Sequence, residues 1–417
     1  MSSRKETIQL LANREFSFFL TTRVLLTIAL QIQAVVVGWQ LYKLTKDPFS
    51  LGLIGLAEAI PALSIALYAG HVADISNKRN ILLKSLACMV FCSIGLLLVT
   101  MDDFVIGIGS TYSIRGIYFF IFLSGFARGF FSPTAFAFLF QLVPKEMLTK
   151  ASTLNSSAWQ IAAIIGPALG GLLYAAIGIT YTFWCVLGFS VLALLALMQL
   201  KSKPITVKDT KEAISIRLKE GIKYVFDNKV ILSAISLDLF AVLFGGAVAL
   251  LPVFADEILK VGPQGLGLLR AAPSLGASIT MIWLSVRSQI QKPGVVLLYC
   301  VGAFGICMIG FALSTSLYLS LFLLFLSGAF DSVSVVIRGN ILQLETPDHM
   351  RGRVSAVNTM FIGSSNEIGA FESGLAARLL GTVSSVVFGG CMTLMVVGFT
   401  SLKAKKLKDF RYSHVRQ

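Results

Sequence analysis

The sequence predicts an all-α integral membrane protein with twelve transmembrane helices in two pseudo-symmetric six-helix bundles. Three observations predict it: an apolar composition, twelve runs long enough to cross a bilayer, and an internal repeat. Hydrophobic residues make up 56% of the 417 and charged residues 13%. A soluble domain carries roughly 25% charged residues. Mean hydropathy is +0.81. No soluble interior is large enough for so much apolar side chain, so the solvent is lipid. This excludes a disordered chain, a fibrous repeat and an ordinary cytosolic enzyme.

A spanning helix needs about 20 apolar residues. In chain order the runs are 17–42, 50–72, 81–101, 116–141, 152–177 and 180–200, then 231–255, 265–286, 294–314, 317–341, 354–379 and 382–402. The fourth is rich in Phe, from Phe119 to Phe140, and most of these rings must face lipid or core. Small residues, Gly and Pro recur in several runs, as lipid helices tolerate where neighbours pack closely. Between the sixth and seventh runs lies the longest hydrophilic stretch, 201–230. Ile214, Leu218, Ile222 and Val225 recur there at helical spacing, which predicts an amphipathic helix on the inner membrane surface. The domain limits follow: a bundle over 1–200, a cytoplasmic linker over 201–230, a second bundle over 231–402 and a basic cytoplasmic tail over 403–417.

Charge sets the direction. With the N-terminus inside, 27 of the 35 Lys and Arg residues fall on inner segments, Arg338 counted among them, and four on outer loops. This bias predicts a multi-pass cytoplasmic (inner) membrane protein with both termini in the cytoplasm. It also accounts for the net charge of +14 without nucleic acid. The first fifteen residues show no removable signal peptide. The six cysteines lie inside apolar runs with no CxxC or Cys/His cluster, so they read as packing residues.

The halves repeat. An offset of 203 carries the LSG at 123–125 to 326–328, Pro144 to Pro347, Asn155 to Asn358, Gly166 to Gly369 and Gly171 to Gly374. Nearer the start the offset is 215 and carries Pro48 to Pro263, Gly52 to Gly267 and Ala57 to Ala272. A longer loop at 102–115 absorbs the difference. Two such halves suit a transporter whose central site opens to each side in turn.

Motifs add a family. GHVADISNKRN, Gly70 to Asn80, resembles the signature turn of the major facilitator superfamily. Gly70, Asp74, Lys78 and Arg79 fit it, while Ile75 and Asn77 depart. The resemblance implies a gating latch in which Arg79 pairs with nearby acids. AAIIGPALGGLL resembles the family's antiporter motif through Gly166, Pro167, Gly170 and Gly171, with Ala162 in place of the first Gly. That implies a kinked, close-packing face that seals one half against the other. The segment from Glu345 to Gly374, with the 250–277 region, resembles the enterobactin-exporter-like, or transmembrane secretion effector, branch. Members of that branch export siderophores, macrolides and other amphiphiles, typically on the proton gradient.

Charge at bilayer depth is costly and marks functional candidates. The runs hold Arg23, Glu58, Arg128, Asp238, Arg270, Asp331, Glu367, Glu372 and Arg378. The repeat sets Asp238 opposite Arg23 and Asp331 opposite Arg128. The resemblance places these four on cavity walls, which makes Arg23 and Arg128 substrate candidates. Asp331, Asp238 and Glu367 are the proton-coupling candidates, with a static ion pair or helix packing as the plain alternative. Glu58 and Arg378 are expected as an outer gate pair.

The expected function is secondary active, proton-coupled efflux of an amphiphilic small molecule, siderophore- or drug-like, by alternating access. The alternatives are import of a siderophore or similar solute, lysophospholipid movement between leaflets, or a sensor that has lost transport. A lipid handler would need a more apolar cavity, and a sensor no charged one. The expected partners are the substrate, protons and the bilayer, with the protein monomeric. No P-loop, catalytic constellation, cofactor motif or metal-ligand spacing is present in the sequence.

Overall fold

The computed structural model describes residues 2–204, 214–245, 247–285, 290–347 and 350–411. Every regular element among them is helical. The principal helices, in chain order, are α1 (Arg14–Thr45), α2 (Pro48–Ile75), α3 (Lys78–Thr100), α4 (Ser110–Leu142), α5 (Leu148–Met198), α6 (Ile214–Asp227), α7 (Lys229–Phe244), α8 (Gly262–Ser285), α9 (Pro293–Leu313), α10 (Leu317–Glu345), α11 (Arg351–Leu380) and α12 (Thr382–Lys403). Ten helical segments among the described residues are long and apolar enough to cross a membrane. One of them runs from 145 to 198 and holds two predicted spans. They part at Gly178, whose φ of 74° needs a residue without Cβ. The polar α11 is 30 residues long but lies outside the ten.

The chain divides into two compact units. The first comprises residues 1–46, 57–209 and 262–271; the second comprises 47–56, 210–261 and 272–417. In the first unit Asn13 caps α1, its Oδ1 accepting from the Glu15 and Phe16 amides. The core is aromatic: Phe16, Phe19 and Phe138 are fully buried, and the Phe19 and Phe138 rings lie 6.2 Å apart. Phe119, Phe126, Phe136 and Phe140 of α4 stay exposed, so α4 divides its rings between core and surface. Gly166 and Gly170 let α5 approach α1: a Cβ on Gly166 would lie 2.6 Å from Gln31 Cβ, and one on Gly170 would lie 3.1 Å from Ile32 Cα.

The second unit includes the linker helix. On α6, Val225 is buried in a cluster with Ile231, Ile235, Val354 and Val357. Glu220 pairs with Arg353, and the Tyr224 hydroxyl donates to the Glu345 carbonyl at 2.6 Å. The predicted amphipathic helix is therefore packed and pinned. Lys208, Lys211, Arg287 and residues 412–417 lie outside the described residues. The seventh run differs from a single span. Its helix stops at Gly245, a 3₁₀ turn follows over Ala247–Leu250, and a π turn covers Phe254–Ile258. The Gly-Gly step and Pro252 weaken the regular ladder there.

The repeat is visible in conformation and contact. Gly178 and Gly381, 203 residues apart, both have positive φ, 74° and 90°. In the first unit a Cβ on Gly171 would lie 2.9 Å from Gly267 Cα and would collide with the Pro263 carbonyl oxygen. In the second unit a Cβ on Gly374 would lie 2.7 Å from Gly52 Cα and 3.1 Å from the Pro48 carbonyl oxygen. The repeat carries one contact set onto the other.

Candidate functional site

Each unit holds an ion pair on its apolar helices. In the second unit α7, α9 and α10 enclose a small cavity lined by Asp238, Cys300, Phe304, Asp331 and Ser334 among others. Asp331, Ser334 and Arg338 follow one another at i, i+3 and i+7, so they share one face of α10. Arg338 Nη1 pairs with Asp238 Oδ2, and the two residues are only 3% and 6% exposed. A buried pair needs this complementarity, because either charge alone would be strongly disfavoured. Ser334 Oγ is buried without a hydrogen-bond partner among the described residues. Asp331 is partly buried, with no hydrogen bond or ion pair among them. The break in the seventh run begins three residues after Val242, another residue of the cavity wall.

In the first unit Arg128 Nη1 of α4 pairs with Glu58 Oε1 of α2. Gly125, one turn before Arg128, makes this possible. A Cβ there would lie 2.8 Å from the Glu58 carbonyl oxygen and 3.0 Å from Pro61 Cγ, so α2 and α4 touch backbone to backbone. Arg270 of α8 belongs to the same unit. Arg23 of α1 sits 6.0 Å from the ring centre of Phe131, one turn beyond Arg128. The Arg23 Nε is buried without a hydrogen-bond partner among the described residues.

Arg128 meets Glu58, and Asp238 meets Arg338, because neighbouring helices inside a unit bring their side chains within reach. Arg23 meets an aromatic face. Arg378 Nη1 lies 3.8 Å from Asp47 Oδ2, and its guanidinium lies 5.3 Å from the Phe49 ring centre. Glu367 lies on α11 beside Gly55, where a Cβ would be 3.6 Å from its Oε2. In the signature turn Asn77 Oδ1 accepts from the Asn80 amide at the start of α3. Arg79 donates to the carbonyl of Met198, the last residue of α5, at 2.9 Å. Lys78 is buried, and Gly70 has open space where its Cβ would be. The Asp74 side chain lies outside the described residues.

Sequence reasoning missed Arg338, which it grouped with the inner-turn cations. The signal was present: Arg338 falls within the apolar run 317–341, two turns after Asp331. It also left Arg270 without a role.

Comparison with known proteins adds the family. The description "Transmembrane secretion effector" matches residues 7–413. The enterobactin exporter EntS of Escherichia coli O1:K1 is 24% identical over 395 residues, which cover 93% of this chain and 91% of that protein. Among solved structures, a POT family transporter in complex with a thioalcohol-conjugated peptide superposes with a TM-score of 0.73 at 12% identity, covering 95% of this chain and 97% of that one. A bacterial homologue of the iron transporter ferroportin gives a TM-score of 0.72 at 16% identity, covering 95% and 99%. The apolar helices, the repeat and the near full-length family match agree: the chain belongs to the transmembrane secretion effector family of the major facilitator superfamily, and it is a membrane transporter, not an enzyme.

Proposed function

We propose that this transporter exports an amphiphilic small molecule, siderophore- or drug-like, in exchange for protons by alternating access. The observation that carries the coupling is the cavity of the second unit. There Asp331 stands without an ion-pair partner among the described residues, beside the buried Asp238–Arg338 pair. A carboxyl group in that position can accept a proton, and Arg338 pairs with Asp238 next to it. Asp331 is the first coupling residue in this reading, Asp238 the second and Glu367 the reserve. Export is supported by likeness to the enterobactin exporter along most of both chains. Arg23 and Arg128 are the substrate-facing cations. The glycine face Gly166, Gly170 and Gly171, with the bend at Pro167, serves the gate, as do Gly70, Asp74, Lys78 and Arg79. Glu58 and Arg378 serve as a pair at the outer gate. The protein sits in the cytoplasmic membrane as a monomer with both termini inside.

The test is transport by purified protein in proteoliposomes under an imposed pH gradient, using enterobactin and a macrolide as probes. Accumulation on the acidic side that collapses with a protonophore supports proton-driven export. Accumulation on the opposite side identifies an importer. Movement of lysophospholipid with neither probe moved identifies a lipid handler.

A further inference from the structure

The two ion pairs differ in a way that bears on the substrate. The Asp238 and Arg338 side chains are 8% and 4% exposed, as a structural pair should be. The Glu58 and Arg128 side chains are 28% and 41% exposed, so this pair is open to a competitor. A stronger anionic group can therefore take the place of Glu58 on Arg128. Positive charge at bilayer depth favours this, because an uncompensated arginine is costly there. Arg23, held one helical turn away over Phe131, extends the cationic surface. Ile65 Cδ1, 2.9 Å from the Cβ position of Gly129, provides apolar wall beside it.

We propose that Glu58 is an internal counter-anion occupying an anion site at Arg128, and that the transported substrate is an amphiphilic organic anion that displaces it. This rests on the transporter reading above and narrows its substrate class. In the empty protein Glu58 pairs with Arg128. A bound sulfonate or carboxylate takes its place on the same donors and frees the Glu58 carboxylate.

The experiment uses the full-length protein in lipid nanodiscs and two probes of similar shape. Naphthalene sulfonate is permanently charged, and methyl naphthyl sulfone is neutral. Glu58→Gln removes the competitor, so sulfonate should bind about fivefold tighter than to the wild type, as expected for loss of one partly exposed ion pair. Sulfone binding should not change. Arg128→Gln in the Glu58→Gln background should reverse the gain. Glu58→Asp keeps the carboxylate and should keep the wild-type preference, which separates competition from misfolding. A merely structural role for Glu58 would not alter charge selectivity. Equal or weaker sulfonate binding by Glu58→Gln overturns the counter-anion role. If the wild type still moves the sulfone in proteoliposomes in that case, the transporter reading stands. If the wild type binds neither probe and moves neither, the anionic substrate class falls as well.

Discussion

At the residue scale, two carboxylates of one cavity should respond differently to neutralisation. Asp238 is paired and buried, so Asp238→Asn or Arg338→Gln alone strands a charge at a cost of about 3–5 kcal/mol. Each single variant should lose thermal stability in detergent, and the double variant should recover much of it; scanning fluorimetry reads both. Asp331 has no ion-pair partner to strand among the described residues, so Asp331→Asn should keep the wild-type melting temperature. On the coupling proposal it should abolish gradient-driven transport in proteoliposomes while leaving substrate binding intact. Normal pumping by Asp331→Asn would move the coupling role to Asp238 or Glu367. The charged residues were all legible in the sequence, because any ionisable group in an apolar run stands out. Their partners were not. Pairing inside a unit depends on which helices are neighbours and how far a side chain reaches.

At the element scale, the glycines divide into those that turn the chain and those that let helices touch. Gly178 turns it: at φ 74° and ψ 178°, a region essentially confined to glycine, Gly178→Ala should cost about 1–3 kcal/mol, visible as a lower melting temperature. Gly52, Gly374, Gly171 and Gly267 let helices touch. Alanine at any of these four should lower stability and transport, with similar losses at the repeat-related positions Gly171 and Gly374. Gly188→Ala, which adds its methyl to open space, is the control and should change neither. Equal behaviour of Gly188→Ala and Gly374→Ala would contradict the packing account. The repeat predicted that these glycines correspond. It did not predict that each would face the other's counterpart across a backbone contact. The break after α7 was likewise hidden in an apolar run, although the Gly-Gly step and Pro252 marked a weak ladder.

At the scale of the whole molecule, the distribution of Lys and Arg predicts that reporter tags at either end are cytoplasmic. A periplasmic reporter active at the N- or C-terminus would overturn the topology. The sequence by itself determined the solvent, the helical class, the repeat and the family. These follow from composition, from run length against bilayer thickness and from motifs, all local properties that survive without knowing any neighbour. Gly178 shows the limit of such reading: two runs were visible around it, and the turn between them fell where a positive φ was affordable. Only the tertiary structure decided that Arg338 joins Asp238, that Glu58 joins Arg128, and that Arg79 donates to a helix end. Charge pairing in lipid is enforced by the cost of leaving either partner alone, but several partners satisfy that cost equally well in a one-dimensional sequence. The choice among them is made by helix packing, where a missing side chain such as that of Gly125 brings one backbone against another and places two side chains within bonding distance.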